Sequence, residues 1–173
     1  MMTTRAAMTC LLLLLVVGGC ATGRTTVLST PQGKPTHFST VEVPNLEGAS
    51  SVPEEVKRGI PAKVIESLAK EQLFEKVVPA SGDAAGVLVL RGQVVQYNPG
   101  SRGMRWLTGP MWGVGKGSVI VDVKFIDKTA GEVVAESNFE GEIKGGVFGG
   151  GIDDTYDAIA EEMVQFVKTN FSR

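Results

Sequence analysis

At 173 residues the chain is long enough for one domain with one real core. Its 17 Lys and Arg against 19 Asp and Glu give a formal charge of −2, which excludes a general attraction to nucleic acid or anionic headgroups. A single histidine and two cysteines, Cys10 and Cys20, exclude a histidine-based metal set and Ser-His-Asp machinery.

The chain opens with a basic residue, Arg5, and an unbroken apolar run from Leu11 to Val17. That run is too short to span a bilayer comfortably, and it closes on Val17-Gly18-Gly19-Cys20. A positive start, a short apolar core and a small-residue exit make a secretory signal. An aliphatic residue, two small residues and then Cys resembles the lipobox of bacterial lipoproteins. In that family a diacylglyceryl group is attached to the Cys thiol, the signal is cut before it, and the new amine is acylated. The resemblance implies that residues 1–19 are a cleaved signal and that Cys20 is the lipidated N-terminus. By the same resemblance, Ala21 lacks the Asp that retains lipoproteins in the inner membrane of enteric bacteria. The periplasmic face of the outer membrane is therefore expected if the source is diderm. Cleavage leaves 154 residues and takes Cys10 and Arg5 away, which shifts the charge to −3. With Cys20 acylated no thiol remains for a disulfide, a metal or nucleophilic catalysis.

After Cys20, the stretch Ala21 to Pro35 is a Thr/Ser/Gly/Pro run without an apolar period, and its composition predicts an unstructured tether. The domain is expected over 36–173. His37 to Val43 reads as a first strand ended by Pro44-Asn45. Ser51-Val52-Pro53-Glu54 offers a capping box for a helix through Phe74, with a kink or restart expected at Pro61. Lys76 to Pro79 is a short edge strand, and Gly86 to Tyr97, apolar on both faces at its start, suits a central one. Gly117 to Asp127 and Glu132 to Lys144 alternate with period two around a turn ending in Gly131, which predicts an antiparallel hairpin. Its buried face takes Val119, Val121, Val123 and Phe125 from one strand, and Val133, Ala135, Phe139 and Ile143 from the other. Asp153 and Asp154 open a last helix with an apolar stripe of Ile152, Tyr156, Ile159, Met163, Phe166 and Val167. The fold class that follows is α+β, a two-layer sandwich. Its mainly antiparallel sheet carries two helices on one face, in the order β-α-(β)-β-β-β-α.

Candidate chemistry is sparse. His37 lies in a strand, and Glu136, Glu140 and Glu142 fall at strand period on the outer face, where they read as solvated positions. Gly113-Val114-Gly115-Lys116-Gly117-Ser118 fails as a phosphate loop, because Pro110 stands where the first glycine is needed and a strand follows. Gly145 to Gly151 precedes a helix but has no basic or hydroxyl residue, and Asp153-Asp154 repel an anion. No nucleotide, cofactor or metal is therefore expected. The remaining feature is the glycine-rich connection 100–117, which holds both tryptophans. Arg102, Arg105, Trp106, Trp112 and Lys116 are its candidate partner-binding residues, since Trp and Arg are common binding anchors. A connection whose aromatic residues only fold back over the sheet edge is the alternative.

The same region carries a second resemblance. Leu90-Arg91-Gly92-Gln93, Gly100-Ser101-Arg102, Arg105-Trp106, Gly109, the Gly113-to-Gly117 run, Val121-Asp122-Val123, Asp127 and Gly131-Glu132 resemble a family of bacterial lipoproteins, the domain-of-unknown-function family 4410. The match runs from about Thr40 to the C-terminus. It implies an envelope location and an α+β fold, and it donates no catalytic residue. At the level of architecture alone the order is similar to the N-terminal domain of TolB and the core of the curli secretion lipoprotein, which implies no function. Two expectations from different classes stand. One is a non-enzymatic, membrane-anchored lipoprotein that binds another envelope component, protein or glycan, through 100–117. The other is a structural subunit that assembles with its own copies. A hydrolase using surface carboxylates is the third and weakest.

Overall fold

The computed structural model describes residues 21–32, 37–82, 85–101, 117–143 and 151–171. Among them the strands are β1 (Ala21–Ser29), β2 (Thr40–Glu42), β3 (Glu47–Gly48), β4 (Lys76–Val78), β5 (Val87–Asn98), β6 (Ser118–Asp127) and β7 (Glu132–Ile143). The helices are α1 (Glu54–Glu71) and α2 (Asp154–Phe171). All seven strands join one mixed, mostly antiparallel sheet in the order β1-β7-β6-β5-β2-β4, with β3 beside β5.

Period-two alternation decides the centre of this sheet. In the β6–β7 hairpin Val121 stands opposite Phe139, Val123 opposite Ser137 and Phe125 opposite Ala135, and all six are buried. Asp122 and Lys124 point the other way, with Lys124 3.8 Å from Glu136. One expected core residue falls outside. The register shifts where Phe125 pairs with Ala135 and Ile126 with Val133, so Val134 is the extra residue of a bulge. Val134 packs against the core, and Val133 turns outward at 47% exposure.

The largest departure from expectation is at the beginning. Residues 21–29 form an edge strand antiparallel to β7, not a tether, with Ala21 opposite Ile143 and Thr26 opposite Asn138. An apolar period is unnecessary there because backbone pairing and close approach hold the strand. A Cβ on Gly23 would lie 2.7 Å from the Ala158 carbonyl oxygen of α2, so only glycine lets β1 reach the helix. Thr25 Oγ1 donates to the Glu162 carboxylate, and Ser137 Oγ donates to the Thr26 carbonyl at 2.9 Å. The Thr-rich sequence also suits strand geometry.

The start of α1 differs too. Pro53 holds its N-cap position and no side chain caps it, whereas Glu54 pairs with Lys57 at 2.9 Å. Val52 N–H donates to the Ala49 carbonyl, a turn that buries Val52 and leaves Ser51 exposed, so no capping box forms. Pro61 neither ends nor restarts the helix. Its missing N–H leaves the Lys57 carbonyl without the usual donor one turn on. The backbone N–H of Leu46 takes that place at 3.0 Å, so the proline becomes a docking point for the β2–β3 connection.

Both helices lie on one face of the sheet, side by side and running the same way. Gly59 backs onto the Tyr156 ring, Lys63 Nζ lies 3.2 Å from Asp157, and Lys168 Nζ lies 2.7 Å from Glu71. Beneath them Phe125 stacks on Phe166 at 4.7 Å, with Phe139 edge-on to both. One apolar cluster runs from Phe38 through both helices to Val167, and its burial is the main stabilising term.

Candidate functional site at one end of the sheet

Strand register collects four chain positions in one row. Thr22 stands opposite Glu142, Glu142 opposite Ser118, and Ser118 opposite Asn98, with Ala21 and Ile143 paired one residue further on. The first described residue thus sits at the same end of the sheet as both glycine-rich connections, which leave after Ser101 and Ile143 and return at Gly117 and Gly151. The turn out of β5 uses Gly100 at φ 68°, whose N–H donates to Asn98 Oδ1 at 3.0 Å. The return is crowded. A Cβ on Gly117 would lie 2.7 Å from Ile143 Cδ1 and 3.0 Å from the Pro99 carbonyl oxygen, while the Gly117 carbonyl accepts from Ile143 N–H at 2.9 Å.

Of the residues singled out by sequence, Cys20, Arg102, Arg105, Trp106, Trp112 and Lys116 lie outside the described residues, as do Gly145 to Gly150. The structure gives instead the frame that holds their ends. Cys20 directly precedes Ala21, and the connection carrying the two tryptophans spans the neighbouring β5 and β6 ends.

Behind this row the helix N-termini meet the sheet. Asp154 and Asp157 lie in the first turn of α2, and Glu54 and Glu55 in that of α1. Tyr156 is 7% exposed. Burial, followed by the negative charge of Asp153, pushes its phenol up to about 12, and Asp153 also hydrogen-bonds it. The Tyr156 phenol therefore stays neutral at physiological pH, and its ring packs against Gly59 of α1. Sequence reasoning placed Tyr156 in the apolar stripe and missed its tie to Asp153, three residues earlier. It also missed Gly23 and Thr25, whose role depends on α2 and leaves no periodic signal.

The other candidates are scattered. His37 is exposed near the start of β2, which runs parallel to β5 and so begins at the opposite end of the sheet. At that end Lys128 Nζ bridges Glu42 Oε2 at 2.6 Å and the Ser81 carbonyl at 2.7 Å, an arrangement that pins a loop. Glu136, Glu140 and Glu142 are half-buried in β7 on the face turned from the helices. Among the described residues no group of three His, Cys, Asp or Glu side chains could hold a metal ion, and no helix is long and apolar enough to cross a membrane.

No curated protein matches the sequence. Solved structures do share the fold. The PelC dodecamer from Paraburkholderia phytofirmans is 16% identical and superposes with a TM-score of 0.53, over 88% of this chain and 99% of that one. A neuraminyllactose-binding hemagglutinin homolog from Helicobacter pylori is 13% identical, with a TM-score of 0.44 over 83% of this chain and 87% of that one. At 16% identity the likeness to PelC concerns the fold alone. The family model for the domain of unknown function DUF4410 matches residues 44–144, from the end of β2 through β7, and the chain belongs to that family.

Proposed function

We propose that this chain is a non-enzymatic lipoprotein of the cell envelope, anchored through acylated Cys20 to the periplasmic face of the outer membrane. It binds another envelope component, protein or glycan, through the connection bearing Arg102, Arg105, Trp106, Trp112 and Lys116. The observation that carries this reading is the strand register. It sets Ala21 at the same end of the sheet as the β5 and β6 ends that connection joins, with β7 between them. A chemistry of one histidine, and of no thiol once Cys20 is acylated, supports a binding role over a catalytic one. The test is the double change Trp106→Ala and Trp112→Ala, read by crosslinking in intact cells and by a urea melt. Loss of the crosslinked partner is expected, with stability held within about 0.5 kcal/mol. A stability loss of roughly 3 kcal/mol or more with no separate binding defect would make the aromatic residues a flap on the sheet and remove the connection from the account.

A second reading, assembly with copies of itself, is favoured by the open edge. Among the described residues β1 ends the strand order, pairs on one side alone, and exposes Val27 at 52% and Leu28 at 54%. The similar fold of a dodecameric protein supports the same reading. Size measurement of the released chain distinguishes the two: a monomer supports partner binding alone, and a defined ring supports self-assembly.

A further inference from the structure

The row of strand ends has a consequence for orientation, which rests on the reading of Cys20 as the acylated residue. Ala21 is already paired with Ile143, so no flexible chain separates the lipid from the fold. Consecutive Cα atoms lie about 3.8 Å apart, and the headgroup layer on each side of a bilayer is only about 5–8 Å deep. Acyl chains inserted from Cys20 therefore draw the end of β1 down to the headgroups. β1 cannot peel away freely, because Gly23 packs under α2, Thr25 is bonded to Glu162, and the register with β7 runs from Ala21 to Ser29.

We infer that the sheet stands on the membrane by one end. The strand ends at Ala21, Asn98, Pro99 and Ser118 form a docking surface for the phospholipid headgroups around the protein's own anchor. The opposite end, with the Thr129–Gly131 turn and the Lys128–Glu42 pair, points away from the membrane. β6 joins the two ends through ten residues, about 33 Å at strand rise. Both glycine-rich connections leave the sheet at this end, after Ser101 and Ile143.

The acylated full chain has no free thiol, so one added cysteine takes a label alone. Pro99 and Ala130 are both exposed and lie at opposite ends of the sheet. Pro99→Cys and Ala130→Cys proteins carrying a bimane fluorophore are placed in phosphatidylcholine vesicles containing doxyl-labelled phosphatidylcholine. Several-fold stronger quenching at 99 than at 130 is expected. A glycine-serine stretch inserted between Cys20 and Ala21 should bring the ratio towards one. Equal quenching at both sites, in protein whose N-terminal peptide carries its acyl groups by mass spectrometry, overturns the orientation and leaves the anchor standing. An N-terminal peptide without acyl groups overturns both.

Discussion

Val121 and Asp122 are neighbours in β6 with opposite surroundings, the first fully buried under the helices and the second on the outer face. Val121→Asp puts an unpaired carboxylate against Phe139 and should cost roughly 4 kcal/mol, whereas Asp122→Ala should stay within about 0.5 kcal/mol. Urea midpoints of the two variants check this, and similar shifts would contradict the facing. Tyr156 gives a pH signature. Its folded pKa of about 12 lies above the ordinary 10, so the neutral phenol is favoured by folding. That contribution is whole below pH 10 and is lost as pH rises from 10 towards 12. Tyr156→Phe cannot ionise, so stability followed against pH should fall less steeply over that window in the variant than in the wild-type chain. The difference between the two curves is the quantity to read, because every other titrating group is common to both proteins.

At the scale of elements, β1 ties residues 21–29 to the edge of β7. A chain starting at residue 36 lacks it, exposes the β7 edge and uncovers the side of α2 that Gly23 touches. Cross-strand pairs are worth roughly 0.2–1 kcal/mol each, so losing the pairs between Ala21 and Ser29 should lower stability by about 3 kcal/mol relative to a chain starting at 21. Comparison of their urea unfolding curves decides whether the domain begins at β1. The elements legible in the sequence were those whose residues carry their own period: β5, the β6–β7 hairpin and the stripe of α2. What was not legible depended on partners distant in the chain. β1 is held by α2, more than 130 residues away, through a glycine and a threonine that show no apolar pattern. Pro61 looked like a helix break because its repair, the Leu46 N–H on the Lys57 carbonyl, comes from another segment. Val133 moved outward because a bulge changed the parity of β7. The candidate binding residues were legible only as composition, and the structure adds where their connection starts and ends.

At the scale of the whole molecule, one helical layer covers one face of the sheet and Ala21 lies at the end where the glycine-rich connections leave. In the proposed reading a lipid on Cys20 sets both location and orientation. A single acyl chain binds a membrane only marginally and two or more hold it stably, at about 0.8 kcal/mol per buried CH₂. The same chemistry predicts that Cys20→Ser leaves uncleaved precursor or soluble protein, seen by fractionating cells. Most direct is the intact mass of the wild-type protein extracted from membranes. The account predicts a chain beginning at Cys20 and heavier than its sequence by a diacylglyceryl group and an amide-linked acyl chain. A chain recovered soluble, with an unmodified Cys20 thiol, would contradict it.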